Sequence, residues 1–124
     1  MATRRRTALL VDDDREVLEK ARWALEQEAF DVRTATDGSA ALAALGAEPP
    51  DVIVMELGLT GEDVIGIVKS TMEWVSIPIV LYSRAPLAGR IEAQVLHGAD
   101  EFVPKTAGAH ALAGCLAQLL QRSV

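Results

Sequence analysis

A chain of 124 residues, half of them apolar, suffices for one packed core and reads as a single domain over 1–124. Its net charge of −6 without a basic stripe argues against direct nucleic-acid binding, and its longest apolar runs, Thr7–Val11 and Val52–Met55, fall far short of the roughly 20 residues of a membrane helix. Cys115 is the one thiol, which excludes an internal disulfide, fits a reducing cytoplasm and, beside Leu112, Leu116 and Leu119, reads as a small buried apolar residue.

Arg4-Arg5-Arg6 reads as a solvated lead-in, because three aspartates from Asp12 onward interrupt any apolar export stretch. The first β-type run is Thr7–Val11, after which Asp14 can N-cap a helix that turns Val17, Leu18, Ala21 and Leu25 inward. Trp23 lies about 180° from the direction of Ala21 and Leu25 at roughly 100° per residue, which predicts exposure. Asp31–Ala35 is the second strand, and Asp37-Gly38 opens the second helix. Asp51–Met55 is the third strand, followed by a helix near whose end Trp74 stands without an assigned role. Ile77–Tyr82 is the fourth; Pro86 then opens a helix carrying Leu87, Ile91 and Val95 inward, and Gly98 follows its end. Asp100–Val103 is the fifth strand, and the last helix faces the core with Leu112, Leu116, Leu119 and Leu120. His97 and His110 have no partner at ligand spacing and read as surface residues.

Five strand-then-helix units define an α/β chain. Right-handed crossovers put helices on both faces of a parallel sheet, which suits the near-continuous apolar runs Val52–Met55 and Ile79–Leu81. Ligands of doubly wound sheets bind beyond the carboxyl ends of the strands. Those ends carry Asp12 and Asp13, then Glu56, Ser83 and Lys105. Three converging carboxylates require compensation, either by a divalent ion or by an internal ammonium, and oxygen-only donors select Mg²⁺ over zinc. The Ser83 hydroxyl and Lys105 ammonium suit phosphoryl oxygens. Read alone, Asp12 to Asp14 could merely cap the first helix, Glu56 could be a solvated loop residue, and Lys105 could serve only as a structural ion-pair partner.

Leu9-Leu10-Val11-Asp12-Asp13-Asp14, Pro50-Asp51-Val52-Ile53-Val54-Met55, Pro78-Ile79-Val80-Leu81-Tyr82-Ser83 and Gly98-Ala99-Asp100-Glu101-Phe102-Val103-Pro104-Lys105 resemble the response-regulator receiver family over essentially the whole chain. The resemblance implies a doubly wound, flavodoxin-like (βα)5 fold with strand order 2-1-3-4-5. It implies Mg²⁺ on Asp12, Asp13 and the Gly58 carbonyl, Ser83 as switching hydroxyl, Lys105 as phosphate contact and Phe102 as switching aromatic.

Departures cluster around the same pocket. Glu56 stands where the family has its phosphoacceptor aspartate, and its extra methylene advances the carboxylate by up to about 1.5 Å. Arg84 follows Ser83 where a small residue is usual and is expected to swing onto Glu56 or Asp13 in place of metal. Thr106 replaces the proline that commonly follows the lysine, often through a cis bond, so a trans peptide is expected. Thr60 replaces a usual proline and Val64 a usual glycine, which predicts a reshaped loop after the third strand.

The resulting expectation is a stand-alone, non-enzymatic pseudo-receiver in two-component or phosphorelay signalling. It would bind a histidine kinase, phosphotransfer or output protein, or a second copy of itself, through the face of the fourth helix, fifth strand and fifth helix. Trp23 marks a further helix face suited to a partner. One alternative is a Mg²⁺-dependent receiver phosphorylated inefficiently, for instance on Asp13. Another takes Asp12 and Asp14 as the Asp-x-Asp of a haloacid-dehalogenase-like phosphatase, for which 124 residues leave no cap.

Overall fold

Alternation of apolar side chains divides the core between two faces of one sheet. In β1 (Arg6–Val11), Ala8 and Leu10 enter one apolar cluster while Leu9 and Val11 enter the other. The computed structural model describes residues 5–57, 63–84 and 98–122. Its remaining strands are β2 (Phe30–Ala35), β3 (Val52–Met55), β4 (Ile79–Ser83) and β5 (Glu101–Pro104), every pair parallel, in the order β2-β1-β3-β4-β5. The helices are α1 (Arg15–Gln27), α2 (Gly38–Ala47), α3 (Val64–Ser70) and α4 (Ala109–Arg122), with a 3-10 turn over Lys105–Ala107.

The first cluster joins Ala8, Leu10, Val54 and Val80 to α1 and α4; the second joins Leu9, Ile53, Ile79 and Leu81 to α2 and α3. Helices therefore cover both faces, as the strand–helix alternation predicts. The helix expected to open at Pro86, with Leu87, Ile91 and Val95, lies outside the described residues, as does His97.

Local chemistry explains where elements begin. Asp14 caps α1 by accepting from the N–H groups of Glu16 and Val17, and Asp37 caps α2 by accepting from that of Ala40. Strand β4 starts at Ile79 rather than Ile77 because the Ile79 N–H bonds to the Asp100 carboxylate at 2.8 Å, directly after Pro78, which has no N–H to offer. Two inward assignments shift. Ala24 is buried where Val17 is half-buried, and Ala113 is buried where Leu119 and Cys115 are only half-buried, so Cys115 packs at the margin of the core.

The open edge of β2 is guarded. Its odd-numbered residues turn their backbone groups toward β1, as the Asp12 N–H to Ala35 O bond shows, which leaves the carbonyls of Phe30 and Val32 outermost. Arg5 donates to Phe30 O at 3.2 Å and Arg22 to Val32 O at 3.3 Å. Charged side chains on an edge strand block its pairing with another chain.

Candidate functional site

The register of the sheet brings four strand ends to one place. Asp12 directly follows β1, and its backbone N–H bonds to Ala35 O at 3.1 Å; Glu56 directly follows β3, and its N–H bonds to Val11 O at 3.1 Å. Ser83 ends β4 opposite Pro104, the last residue of β5, so Lys105 emerges beside it. The Lys105–Thr106 peptide is trans, as the missing proline predicts, and Gly108 at φ 91° turns the chain into α4.

Lys105 Nζ lies 2.7 Å from Asp12 Oδ2 and also pairs with Glu56 Oε2. Ser83, fully buried, donates from Oγ to Glu56 Oε1 at 2.5 Å. The Asp14 N–H donates to Asp12 Oδ1 at 2.9 Å, closing an Asx turn that presents the other oxygen to Lys105. Each of the four oxygens of Asp12 and Glu56 thus receives a hydrogen. Only 9% of the Lys105 side chain, 5% of Asp12 and 15% of Glu56 is exposed, so this is an ion-pair network largely removed from water. Burial alone would pull the Lys105 ammonium down, but its bonds to Asp12 and Glu56 outweigh it and hold it above the usual lysine range. Burial pushes the Tyr82 phenol up; Lys105 and Arg84 oppose that shift and Asp12 adds to it.

Two expectations are corrected. Arg84 is exposed and makes no ion pair with Glu56 or Asp13; the cation on Glu56 is Lys105, which the β4–β5 pairing delivers to the pocket. Three carboxylates do not converge, because Asp13 is exposed, and among the described residues no three Asp, Glu, His or Cys side chains are grouped to hold a metal. The arrangement is two carboxylates about one ammonium. A Mg²⁺ held by these two carboxylates would have to share them with the Lys105 ammonium, which already bonds to one oxygen of each. Gly58 and Thr60 lie outside the described residues.

Phe102 is half-buried and packs on the second core cluster, against which Leu57, Ile65 and Trp74 also pack. Val64 is buried as the first residue of α3, with Asp63 as its cap. Trp23 is 56% exposed, as its helical position predicts. Its ring meets that of His110 edge-on, centroids 6.0 Å apart, beside a cleft of about 390 Å³ between α1 and α4. Sequence spacing marked His110 as a surface residue but carried no signal for this cross-helix pair.

Comparison with known proteins follows the same lines. A family model described as the response regulator receiver domain matches residues 8–117. The transcriptional regulatory protein KdpE of Mycobacterium tuberculosis is 34% identical over 101 residues, 81% of this chain and 44% of KdpE. Response regulator MprA of Mycobacterium avium is 33% identical over 118 residues, 93% of this chain and 51% of MprA. The chain therefore spans about half the length of these curated relatives. A crystal structure of a response regulator from Desulfuromonas acetoxidans matches with a TM-score of 0.81 at 27% identity, over 94% of this chain and 97% of that one. Chemotaxis response regulator CheY4 of Vibrio cholerae matches in fold, with a TM-score of 0.79 at 21% identity over 98% and 100% of the two chains.

Proposed function

The chain belongs to the response regulator receiver domain family, and from that membership we propose that it is a pseudo-receiver, signalling by protein contact rather than by phosphotransfer. Receiver domains of two-component systems are signalling modules that interact with histidine kinases and output domains. The observation that carries the finer reading is the double engagement of Glu56: Ser83 and Lys105 spend their donors on its two carboxylate oxygens. Those are the two groups that the family resemblance assigns to the phosphoryl group.

Glu56 is a partial stand-in. It offers one negative charge and two oxygens, against roughly −1.5 to −2 and three oxygens for a phosphoryl group. Its hold on both groups nevertheless links β3 to β4 and to the turn after β5, the connections through which an arriving phosphoryl would act. The domain over 1–124 is then held in one state and read by a partner: a histidine kinase, a phosphotransfer or output protein, or a second copy. The docking face includes β5 and α4. The receiver-family match favours this reading over the phosphatase one.

The test is incubation with acetyl phosphate and Mg²⁺ followed by intact mass measurement. The mass is expected to stay unchanged, and an adduct of about 80 Da, one phosphoryl group, sinks the proposal. Asp13 is the exposed carboxylate, so loss of such an adduct in Asp13→Asn would establish the inefficient-acceptor alternative instead. Glu56→Asp asks whether the remaining pocket accepts phosphate once the shorter carboxylate is restored.

A further inference from the structure

We infer that Lys105 is the permanent cation of the acidic pocket, taking the position a divalent ion would need, so that this receiver is held together without metal. The inference rests on the reading of Glu56 given above. Two carboxylates this little exposed repel one another unless a cation lies between them, and Lys105 Nζ does so, bonded to one oxygen of each. An ammonium has three protons, and two of them are directed at Asp12 and Glu56. The two outer oxygens are taken by the Asp14 N–H and the Ser83 hydroxyl. One of the two negative charges is therefore offset, and each of the four oxygens receives one hydrogen, from within the chain.

Charge sets this arrangement against a bound metal. A divalent ion shared by Asp12 and Glu56 would stand within a few ångströms of Nζ, and like charges at that distance repel strongly where little water intervenes. Lys105 cannot leave freely either. Its side chain is 9% exposed, and withdrawal would strand two carboxylates without a counter-ion. The longer side chain at position 56 contributes directly, because its carboxylate reaches Ser83 and Lys105 together. Asp13, exposed and outside the network, is left as a lone carboxylate too weak to hold a divalent ion by itself.

The experiment is a Mn²⁺ titration followed by the free-ion EPR signal, on the whole chain, on Lys105→Met and on the double variant Lys105→Met with Asp12→Asn, with thermal melts in Mg²⁺ alongside. The wild-type chain is expected to leave the free Mn²⁺ signal undiminished in the millimolar range and to melt at the same temperature with and without Mg²⁺. Lys105→Met should bind Mn²⁺ at least about tenfold more tightly than wild type, and the double variant should lose that gain. Submillimolar Mn²⁺ binding by the wild type, or a folded Lys105→Met with no gain, overturns the inference. If Lys105→Met does not fold, the wild-type titration decides alone. Because phosphorylation is read separately by mass, a wild type that binds Mn²⁺ yet carries no adduct refutes metal independence and leaves the pseudo-receiver reading standing.

Discussion

Removing the ammonium while keeping its aliphatic bulk is the sharpest perturbation of this pocket. Lys105→Met leaves the carboxylates of Asp12 and Glu56, whose side chains are 5% and 15% exposed, facing each other without a cation. Breaking one partner of a fully buried ion pair costs about 3–5 kcal/mol, and the residual exposure of Glu56 lowers that to about 2–4 kcal/mol here. At about 4 °C per kcal/mol for a domain of this size, the melting temperature should fall by about 8–16 °C. Urea melts of Lys105→Met, Asp12→Asn and the double variant complete a thermodynamic cycle. The coupling between the two sites should be about 1–3 kcal/mol, because Lys105→Met leaves Asp12 and Glu56 to repel one another and the added Asp12→Asn relieves that repulsion, whereas Asp12→Asn alone only removes one of the two ion pairs of Lys105. A Lys105→Met penalty below about 0.5 kcal/mol, or additive effects within error, would refute the reasoning that the ammonium holds the two carboxylates together.

Ser83→Ala deletes the donor to Glu56 Oε1 and should cost about 1–2 kcal/mol by urea unfolding; Ser83→Thr, which keeps the hydroxyl, should recover most of the loss. Lys105 and Tyr82 both hold their protons more tightly when folded, so each contributes stability that is fully present below its ordinary pKa, 10.5 and 10.0 respectively, and lost as pH rises through the raised folded value. The urea midpoint should accordingly hold up to about pH 10 and fall above it, and Tyr82→Phe should lessen the fall; a midpoint that rises in that window contradicts the sign. Arg5→Ala with Arg22→Ala uncovers the Phe30 and Val32 carbonyls at exposed positions, so stability should change by less than about 1 kcal/mol while light scattering reports concentration-dependent association. Absence of such association at high concentration would show that the edge needs no arginine cover.

Much of the architecture was readable before any coordinates. Strand runs such as Val52–Met55 and caps such as Asp14 and Asp37 are local signals, since side-chain periodicity and the first free amides of a helix depend on neighbours within a few residues. The same rule placed Trp23 on the outer face of α1 and gathered Asp12, Glu56, Ser83 and Lys105 at strand ends. Local pattern could not choose between two cations, because Arg84 and Lys105 each stand one residue beyond a strand. The parallel register, with Ser83 opposite Pro104, decided it by carrying Lys105 to the two carboxylates while Arg84 turned to solvent. It likewise separated Asp12, buried at 4% exposure, from the adjacent and exposed Asp13. Sequence alone thus determined which groups reach the end of the sheet; the pairing of distant strands determined which of them meet, because only that pairing sets their distances.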